Sequence, residues 1–160
     1  MRAVSWRSAC ANGILTDATL ATSAPHVWAI GDAACTPHWQ TGQPERLESV
    51  QNATDQAHHL ARTLAHGTAL AFRTVPWFWS DIGPLKLQIA GLSTGADAQI
   101  LRQDGARLAV YHLRQGRLIS VETIGCPADH MIARRLLEAG LTPTEDDIMA
   151  GPDRLKELLG

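Results

Sequence analysis

Four strand-like runs, Leu85 to Leu92, Ala98 to Gln103, Arg107 to Leu113 and Leu118 to Ile124, follow one another in the second half of this chain. The last two flank Arg114-Gln115-Gly116-Arg117, which reads as a hairpin turn. Pro127 then opens a helix through Met131, Ile132, Leu136 and Leu137 that stops at Gly140. A proline at a first helical position removes no helical hydrogen bond. Pro143 and Pro152 punctuate two short final helices. Successive strands followed by helices predict an α+β arrangement with an antiparallel sheet.

Pro76 breaks the chain ahead of Trp77-Phe78-Trp79, so a boundary is expected near residue 74. Before it, a long helix is predicted from Val50, Ala53, Ala57, Leu60, Ala61 and Leu64, which recur at three- and four-residue steps on one face. Ser49 suits the N-cap, its hydroxyl accepting from a first-turn amide, and Gly67 suits the C-terminal stop. Residues 36–46 hold two prolines and a glycine and read as loop. Ile14 to Thr16 and Val27 to Ile30 read as strands, the second ending at Gly31-Asp32. Both are expected to need parallel neighbours from N-terminal sequence outside these 160 residues, and the unpaired edge would favour self-association or local disorder.

The 14 basic and 16 acidic residues are interspersed, giving a net charge of -2 and no basic tail, which argues against nucleic acid as a partner. A 45% hydrophobic and 19% charged composition belongs to a folded chain. No apolar run approaches the ~20 residues of a membrane helix. Met1 to Cys10 carry Arg2 and Arg7 without the apolar core of a secretory signal, so a cytoplasmic location is expected. Cys10, Cys35 and Cys126 form neither a Cys-x-x-Cys pair nor a zinc pattern and read as unpaired thiols.

The segment that carries chemistry is Val27-Trp28-Ala29-Ile30-Gly31-Asp32-Ala33. An apolar strand ending in Gly-Asp can set a carboxylate where α/β folds bind ligands, though the same dipeptide also makes an ordinary turn. Glycine lets a ligand approach the backbone, and the aspartate can accept bonds from sugar hydroxyls. His58-His59 are adjacent on the long helix and point apart, so they cannot chelate as an i, i+4 pair. His130 reads as orienting a helix start. Arg134 and Arg135 read as a surface face or as a contact for an acidic partner.

Six segments occur in a telling order. They are Asn12 to Asp17, Thr22 to Asp32, Arg46-Leu47-Glu48-Ser49-Val50-Gln51-Asn52-Ala53, Val75-Pro76-Trp77-Phe78-Trp79-Ser80-Asp81, Leu85 to Leu92, and Pro127-Ala128-Asp129-His130-Met131. From about Ala11 to the C-terminus the series resembles the FAD-dependent, NAD(P)H-linked ferredoxin reductases that serve bacterial dioxygenases and cytochrome monooxygenases. The resemblance implies residues 11–74 as the C-terminal piece of an FAD/NAD(P)-binding α/β domain and residues 75–160 as the reductase C-terminal domain. It implies FAD as cofactor, NAD(P)H as electron donor and an iron–sulfur ferredoxin or a rubredoxin-like acceptor. Gly31 and Asp32 would meet the flavin's ribityl chain. Ser49, Val50 and Gln51 would bring a helix N-terminus to the pyrimidine edge, where positive partial charge suits a reduced ring. Trp79 would lie by the flavin and the nicotinamide, with Trp77 packing an interface. The resemblance supplies no catalytic acid or base.

The chain departs from the family in three places. Residues 1–10 match nothing in it, and Ile82-Gly83-Pro84 replaces a more polar stretch. No Gly-x-Gly-x-x-Gly occurs, although full reductases carry that phosphate-binding fingerprint twice. The 160 residues alone are therefore expected to hold FAD weakly or not at all. Two readings stand: a working part of a flavoprotein reductase, or a non-catalytic remnant or binding module without bound flavin.

Overall fold

The computed structural model describes residues 10–160, and the chain divides into a unit ending at Thr74 and one running Val75–Gly160. Arg2 and Arg7, and the Cys10 side chain, lie outside the described residues.

The first unit holds β1 (Cys10–Ala11), β2 (Gly13–Leu15), β3 (Ala34–Pro37) and β4 (Pro44–Glu45) in that spatial order. β2 runs parallel to β3, pairing Ile14 with Ala34 and Leu15 with Cys35, whereas the outer pairs are antiparallel. Three expectations are corrected here. The parallel neighbour of β2 comes from within the chain. Residues 36–46 are a hairpin around Gly42, not an unpaired loop: His38 N–H donates to the Gln43 carbonyl at 2.8 Å. And Val27 to Ile30 is not a strand. Trp28 bridges Ala21 alone, because the chain turns back at Pro25-His26, with Thr22 N–H donating to the Val27 carbonyl at 2.9 Å. A strand needs a ladder beside it, and among the described residues none runs along 27–30.

α1 (Val50–His66) starts on the Ser49 hydroxyl, which accepts the Asn52 amide at 3.1 Å, and stops on Gly67 in the left-handed region. Its orientation differs from the periodicity. Val50 and Leu64 of the expected apolar face are 70% and 56% exposed, while the buried side chains are Asn52 and Gln56. Amphipathic spacing defines faces but does not choose which one packs, and here hydrogen bonds chose the polar row.

The second unit is a five-stranded antiparallel sheet, in the order β5 (Trp77–Ile82), β6 (Leu85–Gly91), β9 (Arg117–Ile124), β8 (Arg107–Arg114) and β7 (Ala98–Asp104). The β8–β9 turn places both Gln115 (φ 51) and Gly116 (φ 72) in the left-handed region, the conformation that follows the sheet's twist in a two-residue hairpin. α2 (Pro127–Ala139) lies across β6 and β9, with α3 (Glu145–Ala150) and α4 (Pro152–Glu157) beside it. Ala90, Tyr111 and Val121 on the sheet, Ala133, Leu136 and Leu137 on α2, and Ile148 and Leu155 are all buried in the core of this unit. Asp129 in the first turn of α2 accepts from the buried Tyr111 hydroxyl at 2.7 Å and from Arg102, which also donates to the Ile148 carbonyl at 3.0 Å. That cluster joins the helical layer to the far edge of the sheet.

Candidate flavin-facing site

Gly31-Asp32 begins a single 3₁₀ turn (Gly31–Ala33) leading into β3. Gly31 has φ +65, and a Cβ there would come 3.2 Å from the Ala53 Cβ, so the turn lies directly on α1 and only glycine fits without displacement. Its amide is consumed: it donates to Gln56 Oε1 at 2.7 Å. The Asp32 side chain is exposed, with no partner among the described residues, while its backbone carbonyl accepts from Arg46 Nη1 at 3.1 Å. Arg46 also donates through Nε to Asn12 Oδ1 at 3.2 Å and pairs with Glu48.

The Ser49 hydroxyl is occupied as the cap of α1, and Ala53 N–H donates to the Ser49 carbonyl at 3.0 Å. The amides of Val50 and Gln51 are left, among the described residues, as unbonded donors at the positive end of the helix. The Gln51 side chain turns away to Asp55 at 2.8 Å, so only the backbone of this residue is on offer. A carboxylate able to accept from hydroxyls and a helix end able to donate to an electron-rich ring edge are the two chemistries a flavin's ribityl chain and pyrimidine edge require. This half of the donor set fits FAD; no glycine-rich phosphate cradle accompanies it.

In the second unit the two tryptophans differ. Trp77 is packed: its ring lies 5.3 Å from Trp79 and 5.6 Å from His130, and the Arg134 guanidinium carbon sits 4.6 Å from its centroid. Trp79 is 36% exposed and free to face a ligand. Arg134 on α2 is thus committed to Trp77 of β5, and Arg135 alone of the pair is exposed. His59 Nε2 donates to the Leu70 carbonyl at 2.8 Å, and the ring meets Phe72 edge-on at 5.5 Å, whereas His58 is exposed. His130 is 2% exposed with neither ring nitrogen bonded among the described residues, so its side chain does not brace the helix start.

Sequence reasoning missed Gln56 and Arg46. The available signal was the polar pair Asn52 and Gln56, one helical turn apart on a single face. Arg46 was visible only as the first residue of the Arg46-to-Ala53 run.

No described helix is long and apolar enough to cross a membrane, and no described cluster of His, Cys, Asp or Glu could hold a metal ion. The family described as "Reductase C-terminal" matches residues 77–159, and that described as "Pyridine nucleotide-disulphide oxidoreductase" matches residues 6–57. Rhodocoxin reductase of Rhodococcus erythropolis is 44% identical over 138 residues, covering 84% of this chain and 32% of the relative. The crystal structure of the ferredoxin reductase for the CYP199A2 system from Rhodopseudomonas palustris superposes with a TM-score of 0.87 at 37% identity, over 95% of this chain and 38% of that one. The covalent putidaredoxin reductase–putidaredoxin complex gives 0.83 at 30% identity, over 94% and 36%. The chain spans about a third of the length of the curated relatives it matches. With more than half of its residues matched by that first family and its fold shared across these structures, the chain belongs to the reductase C-terminal family.

Proposed function

We propose that this chain is the flavin-facing and C-terminal part of a reductase that passes electrons from NAD(P)H through FAD to a ferredoxin serving an oxygenase. One observation carries the reading: an unpartnered Asp32 carboxylate and the unbonded Val50 and Gln51 amides belong to one unit and are tied together by Gln56. Residues 11–74 act as the closing piece of the FAD/NAD(P)-binding domain and residues 75–160 as the reductase C-terminal domain. Asp32 accepts from the ribityl hydroxyls, Gly31 permits the close approach, and Ser49 holds open the helix end whose Val50 and Gln51 amides face the pyrimidine edge. Trp79, the more exposed of the two indoles on its strand, offers an open aromatic face within the second unit. When bound, the flavin supplies the exchange between hydride and single-electron chemistry, and the protein supplies orientation and charge. The acceptor is an iron–sulfur protein, in keeping with the partner named in the putidaredoxin reductase complex. The unpaired thiols of Cys35 and Cys126 suit a reducing compartment, and we place the protein in the cytoplasm.

The test is Asp32→Ala, carried in a full-length reductase containing this segment and read as flavin-to-protein ratio and FAD affinity. Loss of a charged acceptor should cost about 1.5–3 kcal/mol of binding. Unchanged FAD affinity would reduce Gly31-Asp32 to a turn.

A further inference from the structure

Gln56 lies inside α1 and is 4% exposed. A buried primary amide in a helix destabilises unless it is hydrogen-bonded, and its oxygen accepts the Gly31 amide at 2.7 Å across 25 residues of sequence. One turn earlier, the buried Asn52 donates from Nδ2 to the Leu47 carbonyl at 3.0 Å and from its backbone to the Ser49 hydroxyl at 3.1 Å. The same polar row therefore holds the approach to α1, its cap, and the turn that presents Asp32. Arg46 grips that turn from its other end, through the Asp32 carbonyl. An apolar side chain at position 56 would fill the space but leave the buried Gly31 amide without an acceptor.

We propose that Gln56 is a positioning residue for flavin binding. It sets the spacing between the Asp32 carboxylate and the free amides of Val50 and Gln51, so that one ligand bearing a hydroxylated chain and an electron-rich ring edge engages both. The inference rests on the site reading given under Proposed function. Gln56 touches no ligand itself; it acts through the backbone of Gly31.

Two probes separate positioning from simple stabilisation. Riboflavin carries both the ring and the ribityl chain, without the phosphates; lumiflavin carries the ring alone. Both are titrated into a flavin-stripped full-length reductase containing this segment and into its Gln56→Met and Gln56→Glu forms, and followed by flavin fluorescence and by the amide resonances of residues 31, 32, 50 and 51. Gln56→Met keeps the length and removes the acceptor, and Gln56→Glu restores an acceptor oxygen. Riboflavin binding should weaken about tenfold in Gln56→Met, the worth of one buried hydrogen bond. Lumiflavin binding should change less than about twofold, and Gln56→Glu should recover riboflavin binding to within about threefold of the parent. Equal losses for both flavins, or an undiminished riboflavin affinity in Gln56→Met, overturn the positioning role and leave the site reading standing. A parent chain in which neither flavin perturbs any of those resonances overturns both.

Discussion

His130 shows what a single residue costs this fold. It packs against Trp77 in the second unit, and neither ring nitrogen has a hydrogen-bond partner among the described residues. Burial, reinforced by the Arg134 guanidinium, lowers its pKa to about 4 from an ordinary value of 6.5. Between those two values the unfolded chain binds a proton that the folded one refuses. Stability is therefore full above about pH 6.5 and falls as the pH drops toward 4, by up to roughly 3 kcal/mol from this residue. His130→Phe keeps the ring and removes two orphaned polar atoms. It should stabilise the protein by about 1–3 kcal/mol at pH 7, and by more at pH 4.5, where the slope due to His130 disappears. Urea unfolding at the two pH values checks this; a destabilised variant would show that the nitrogens have partners in solution.

At the scale of elements, β6 ends on a residue the sheet and helix leave no room to change. Gly91 has φ +76, and a Cβ there would lie 2.1 Å from the Ile119 carbonyl oxygen and 3.1 Å from Leu137 on α2. The clash is with backbone inside the β6–β9 ladder, so no side-chain rearrangement relieves it. Gly91→Ala should destabilise by about 3 kcal/mol or more, from the strained dihedral and the displaced strand together. Gly116→Ala in the β8–β9 turn meets no described atom within 4 Å and costs only the strain of a Cβ-bearing residue in the left-handed region, about 1–2 kcal/mol. The ratio of the two urea midpoints distinguishes steric exclusion from torsional preference; equal shifts would mean that β6 can move away from β9.

Across the whole molecule the two units differ in how their backbones are held. The second has ladders of six to eight residues per strand, three of them hydrogen-bonded on both sides, with α2 laid over the middle. The first has strands of two to four residues and a long connection, residues 16–33, fastened by isolated bridges. Local opening follows the number of mutually supporting bonds. Amide exchange should therefore be slowest in β6, β8 and β9 and fast before residue 45. Uniform slow exchange in a monomer would mean that the short sheet is as cooperative as the long one. Residues 75–160 expressed alone should retain the slow set.

What could be read from the sequence was whatever neighbouring residues decide among themselves. Gln115-Gly116 makes a hairpin because both conformers are local, Ser49 and Gly67 bound α1 because caps are local, and alternating runs of strand length set out β6 to β9. The Gly31-Asp32 and Arg46-to-Ala53 runs were likewise legible, as segments that carry a family resemblance. Tertiary structure alone decided the rest. Val27 to Ile30 has the composition of a strand but no ladder to join, and β3 hides among prolines because its partners, β2 and β4, lie far off or across a turn. The packed face of α1 follows from one bond, Gln56 to the Gly31 amide, whose ends are 25 residues apart. Hydrophobic period records which residues share a face; which face is buried depends on what the rest of the chain brings against it.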